Sequence, residues 1–144
     1  MREVIRPALE AGTAVVCARF ADSTLAYQGY GAGVPLDQLR TLADAATDGL
    51  DPDLTILLDV PVEVGLARKS PEDTTRFEAE HDVDFHRRVR AGFLALAGEE
   101  PQRFGIVDAT RSVDEVAEEV WALVDAAPTG TRSEPEAPRA RIRQ

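Results

Sequence analysis

Residues 54–60 read Leu-Thr-Ile-Leu-Leu-Asp-Val and constrain the fold of this chain more than any other segment. They are apolar on both faces, so successive side chains cannot divide between a core and water. Such a strand is satisfied inside a parallel sheet that helices cover on both sides. The neighbouring segments supply helices. Pro61 can open one at its first position, where no amide donor is needed, and that helix runs to about Arg68. Upstream, Leu36, Leu39, Leu42, Ala43 and Ala46 recur at helical spacing, and Gly49 stops the helix.

The same alternation continues along the chain. Residues 2–11 look like the end of a helix closed by Gly12, with Pro7 marking a kink or a late start. Thr13–Cys17 is short, apolar and β-branched, and predicts a buried strand with Cys17 as a small filler at its end. Residues 22–30 predict a helical turn or short helix. Residues 69–82 are polar and without apolar period, hence a loop. Phe85, Val89, Phe93 and Leu96 mark a long amphipathic helix, and 104–108 is another strand. Ser112 and Glu115 form a capping box that opens a last helix. Its buried face is Val116, Val120, Leu123 and Val124, with Trp121 also in the core. Strands alternating with helices predict an α/β fold with a parallel sheet and helices on both faces. In such sheets ligands sit beyond the carboxyl ends of the strands. The segments after Cys17, Asp59 and Asp108 therefore matter. They carry Arg19, Ser23, Tyr27, Gln28, Arg68, Arg76, Asp108 and Arg111.

The chain has 144 residues and a net charge of −10. That balance excludes nonspecific binding to nucleic acid or to an anionic membrane, both of which need a positive field. It leaves room for a small anionic substrate held by a few arginines. Residues 128–144 differ from the rest: three prolines, four arginines against two glutamates, and Ile142 as the lone large apolar residue. They predict a disordered tail after a domain at 1–127. A single cysteine excludes an intrachain disulfide and a multi-cysteine metal cluster. His81 and His86 lack metal-ligand spacing, so no metal site is assigned. No apolar run approaches the roughly 20 residues of a membrane span, and Met-Arg-Glu-Val-Ile-Arg lacks the apolar segment of a signal peptide. The expected setting is cytoplasmic.

The string Cys-Ala-Arg-Phe-Ala-Asp-Ser-Thr-Leu-Ala-Tyr-Gln-Gly-Tyr-Gly at 17–31 resembles the thymidylate (dTMP) kinase family. The match runs on through Pro52–Thr55, Leu57–Val60, Glu63–Arg68, Arg76-Phe77-Glu78, Phe85–Arg90, Val107–Ala109 and Ser112-Val113, covering residue 2 to about 125. The resemblance implies a P-loop nucleoside-monophosphate-kinase fold, ATP and Mg²⁺ as phosphoryl donor and metal, dTMP as acceptor, and a homodimer. Phosphoryl transfer asks a protein mainly for positioning and positive charge. By resemblance Arg19 grips the dTMP phosphate, for which its planar fork is suited. Ser23, Tyr27 and Gln28 hold the thymidine. Arg68, Lys69 and Arg76 belong to a lid, with Arg76 neutralising charge in the transition state. Asp108, Ala109 and Arg111 lie in a loop that meets adenine.

Three features depart from the family. No Gly-x-x-x-x-Gly-Lys-[Ser/Thr] occurs in these residues, although the fold needs that phosphate-cradling loop. The expectation is that the first two strand–helix units are missing, as in a fragment, a misplaced start or a degenerate gene. The family's first strand lies between its third and fourth, so strands at 13–17 and 54–60 would face an open slot. The family Asp before Arg19 is Ala18 here, and Thr75 replaces the Asp common before the lid arginine. Two readings stay open: a dTMP kinase whose chain alone is inactive, and a noncatalytic nucleotide-binding or interaction domain descended from one.

Overall fold

A computed structural model describes residues 3–68 and 82–127. Residues 3–15 carry one short helix, α1 (Ile5–Glu10), which starts late as Pro7 requires and ends before Gly12 in the left-handed region at φ 75°. Residues Val16–Ala127 form a separate compact unit. Its elements in chain order are α2 (Ala21–Thr24), a π-helical segment (Leu25–Gly31), α3 (Leu36–Thr47), β1 (Thr55–Asp59), α4 (Val62–Ala67), α5 (Val83–Glu99), β2 (Phe104–Asp108) and α6 (Val113–Ala126).

β1 and β2 pair in parallel, in register from Thr55 opposite Phe104 to Asp59 opposite Asp108. Asp59 and Asp108 therefore end the two strands side by side. One face of this pair meets the π-helical segment and α5: Phe104 is buried in a cluster with Leu25, Leu39, Phe85, Val89 and Leu96, and Leu57 packs against it. The other face meets α6, where a Cβ on Gly105 would come within 2.6 Å of the Leu123 side chain. Helices thus cover both faces, and the α/β class predicted from the sequence is the class observed. Close approach of α5 to the π-helical segment depends on Gly92, where a Cβ would lie 2.6 Å from Cβ of Tyr30.

At the amino ends of the strands, Arg103 makes a buried network. It donates to both carboxylate oxygens of Asp22 (2.8 and 2.9 Å), to Thr55 Oγ1 (2.8 Å) and to Glu100, and lies 4.5 Å over the Phe104 ring. These bonds hold the Arg103 guanidinium far above its ordinary pKa. No local pattern marks this network, because its members Asp22, Thr55 and Arg103 lie far apart in the chain.

Several expectations are corrected. No strand forms at 13–17: Val16 is 99% exposed, and Cys17 is exposed rather than a buried filler. A β-branched run becomes a strand only when a neighbouring strand takes its amides and carbonyls, and the sheet of the described residues has two strands, β1 and β2. Pro61 caps α4 from outside instead of opening it. Trp121 is 65% exposed and no residue of α6 is fully buried. Leu42 faces outward, and Leu58 and Ile106 are about half exposed. A strand buried on both faces is thus only partly realised. The predicted loop at 69–82 lies, but for Asp82, outside the described residues, as does the 128–144 tail. No described helix is long and apolar enough to cross a membrane.

Candidate functional site

Two groups of the predicted residues come together, at different places. The first is built on the π-helical segment. Leu25, Ala26, Gly29 and Gly31 turn inward, which fixes Tyr27 on the same element. Phe85 and Phe93 of α5 pack edge-on around the Tyr27 ring, each with its centroid 6.2 Å away. Arg19 lies in the left-handed region at φ 69°. A non-glycine residue there carries a steric cost of about 1–2 kcal/mol, and such strain clusters where function demands a particular aim. The guanidinium lies 4.5 Å over the Tyr27 ring centroid while the residue remains exposed. Ser23 is half-buried inside α2, whose amino end has no side-chain cap, so the hydroxyl is not spent on capping. Gln28 is exposed beside Tyr27, and its carbonyl accepts from the Val34 amide at 2.9 Å.

Beside Tyr27 opens a cleft of about 280 Å³, between the carboxyl half of β1, α4 and α5. Its polar groups are Asp59, His86 and Arg90. Arg90 forks onto Asp59 with two bonds of 2.7 Å. Those bonds hold the Asp59 carboxyl below its ordinary pKa, against the opposing effect of burial. His86 Nε2 is buried and has no hydrogen-bond partner among the described residues. Sequence reasoning assigns no role to Asp59 or Arg90, and considers His86 only as a metal ligand, a role it does not assign. A signal existed for Asp59, a lone acid closing an apolar strand at its carboxyl end. Arg90 was hidden among the neighbouring arginines of 87–90.

The second group joins α4 to the loop after β2. Arg68, which closes α4, donates to the carbonyls of Ala109 (2.6 Å) and Thr110 (3.3 Å). Asp108 accepts from the Thr110 amide (2.9 Å) and hydroxyl (2.7 Å), which lowers its pKa. Arg111 donates to the Asp108 carbonyl and pairs with Glu119 of α6. The capping box at Ser112 and Glu115 forms as predicted and fixes where this loop ends. Lys69 and Arg76 lie outside the described residues.

Among the described residues no three His, Cys, Asp or Glu side chains converge to hold a metal ion. Ala18, with a methyl group where the family has a carboxylate, offers no ligand. The described residues thus offer no all-protein cage for a cation, and Mg²⁺ that arrives with a nucleotide takes most of its ligands from phosphate and water. The backbone of the loop at 108–111 is fixed by Arg68 on one side and by its own Asp108–Thr110 turn on the other.

A parallel strand pair between helical layers, with arginines gathered beyond its carboxyl ends, defines part of a nucleotide-kinase α/β fold. A family model described as thymidylate kinase matches residues 1–120. The chain belongs to the thymidylate kinase family. It is 52% identical over 132 residues to the thymidylate kinase of Desulfovibrio desulfuricans, a match covering 86% of this chain and 60% of that protein. It is 52% identical over 124 residues to the thymidylate kinase of Deinococcus radiodurans, with the same coverage of 86% and 60%. The thymidylate kinase of Thermomicrobium roseum is 57% identical over 122 residues, 83% of this chain and 58% of the relative. The chain thus spans about three-fifths of the length of these relatives.

Proposed function

We propose that this chain forms the thymidylate-holding and adenine-loop side of a dTMP kinase of nucleotide biosynthesis in the cytoplasm. The reaction moves the γ-phosphoryl group of ATP to a phosphate oxygen of dTMP, giving dTDP and ADP. The observation that carries this reading is Arg19, held in a strained conformation with its guanidinium over Tyr27. Arg19 binds the dTMP phosphate through a charge-assisted fork. Tyr27 offers its face to the base or sugar, and Gln28 its amide to the base edge. Ser23 adds a hydroxyl on the same wall. Arg68, Asp108, Ala109 and Arg111 hold the adenine end of ATP, largely through backbone. By family resemblance Lys69 and Arg76 act from the lid, with Arg76 offsetting transition-state charge. When bound, ATP supplies the phosphoryl group and Mg²⁺ the counter-charge, and no residue described here is assigned to the metal. A homodimer is part of the same reading and rests on the family alone.

The 144 residues contain no Gly-x-x-x-x-Gly-Lys-[Ser/Thr], and Ala18 stands in place of a carboxylate. These two facts favour a second reading for the chain by itself, a nucleotide-binding domain without turnover. Losing interactions worth about 4 kcal/mol in the transition state lowers a rate roughly a thousandfold. An assay of dTDP formation separates the readings. The chain alone is expected to give no ordinary turnover. Joined to the part of the Desulfovibrio relative that the match leaves out, it is expected to phosphorylate dTMP in preference to dCMP, and more rapidly once Ala18→Asp is introduced. Equal use of dTMP and dCMP by that hybrid would contradict the substrate assignment. Ordinary turnover by the chain alone would contradict the second reading.

A further inference from the structure

Asp59 is bonded at both its ends. Its carboxylate takes the two-bond fork of Arg90 from α5, each bond 2.7 Å. Its backbone carbonyl accepts the Ala109 amide at 2.8 Å, one residue past the end of β2. The carbonyl of that same Ala109 accepts from Arg68 at 2.6 Å, and Arg68 closes the helix that begins three residues after Asp59. The first residue of the 109–111 loop is therefore held by amide and by carbonyl, and both holds return to the segment that Arg90 anchors. An arginine that merely fastened α5 to the sheet would need no such link. Its loss would loosen β1, β2 and α5 alike.

We propose that Arg90 is a positioning residue for the 109–111 loop, acting through Asp59 to fix where the loop presents its backbone to an adenine nucleotide. The nucleotide part of this inference rests on the reading of that loop given above, and the positioning part does not. A bidentate guanidinium–carboxylate pair fixes angle as well as distance, so it ties the Asp59 side chain to α5 and thereby restrains the backbone whose carbonyl accepts the Ala109 amide. Arg90 touches no nucleotide in this account.

The test is amide hydrogen exchange on the 144-residue chain, paired with titration of ATP into its hybrid with the remaining Desulfovibrio segment, for the parent, Arg90→Met and Arg90→Lys. Arg90→Met is expected to raise exchange at Ala109 by about tenfold or more, while amides of the π-helical segment and the interior of β2 keep the parent's protection. ATP affinity is expected to fall by about tenfold. Arg90→Lys keeps the charge and the stem but not the fork, and is expected to fall between the two. It carries the comparison if Arg90→Met does not fold. Unchanged exchange at Ala109 in a folded variant, or acceleration spread evenly over β1, β2 and α5, would overturn the proposal. Equal ATP affinity with and without Arg90→Met in the hybrid that carries the remaining Desulfovibrio segment would overturn the adenine reading of the loop, and the exchange comparison would still decide the role of Arg90.

Discussion

Arg19 and Arg103 show how differently two arginines of one chain are used. Arg19 is exposed, strained and aimed across an aromatic face. Arg103 is 11% exposed and fully engaged by Asp22, Thr55 and Glu100. A buried pair contributes modestly while intact, but breaking it strands a charge at a cost of about 3–5 kcal/mol. Arg103→Met should therefore lower the midpoint of urea unfolding sharply, and Arg103→Met with Asp22→Asn should recover part of the loss. A single variant as stable as the parent would mean that Asp22 finds water. Sequence reading saw Arg19 through its motif and missed Arg103, since a buried network draws on residues 81 positions apart that no local pattern connects.

Among the elements, legibility followed the completeness of local signals. The capping box at Ser112–Glu115 and the 3.6-residue period from Phe85 to Leu96 contain their own evidence, and α5 and α6 form where the sequence places them. β1 and β2 were legible as apolar runs between turns. The run at 13–17 is apolar and β-branched too, but no strand forms there, because strand formation depends on a neighbour and not on the run itself. The extra residue per turn in Leu25–Gly31 was not legible either. It depends on how closely α5 can approach, and that is set by Gly92 and Tyr30. Gly92→Ala should push the two elements apart and destabilise the domain by about 1–3 kcal/mol, the usual cost of overpacking. Chemical unfolding checks this, and a neutral or stabilising effect would show that Tyr30 moves aside freely.

For the molecule as a whole, the division of the candidate site into two groups matters most. Arg19, Ser23, Tyr27 and Gln28 gather on the π-helical side, and Arg68 with Asp108–Arg111 gather past the strand ends. The family resemblance names the members of the first group, but it assigns Arg68 to the lid, and the structure bonds Arg68 to the 109–110 carbonyls instead. Motif spacing could not show that Asp59 and Arg90 stand between α5 and the second group, because that link runs through a strand end and a helix distant in sequence. The central claim is that the first group holds dTMP by its phosphate. Titration calorimetry of dTMP into the 144-residue chain and its Arg19→Ala variant tests this most directly. Arg19→Ala should weaken binding by the roughly 1.5–3 kcal/mol of a charged hydrogen bond, with thymidine binding nearly unchanged because it has no phosphate to lose. Equal affinity of parent and variant for dTMP would contradict the account and remove Arg19 from the site.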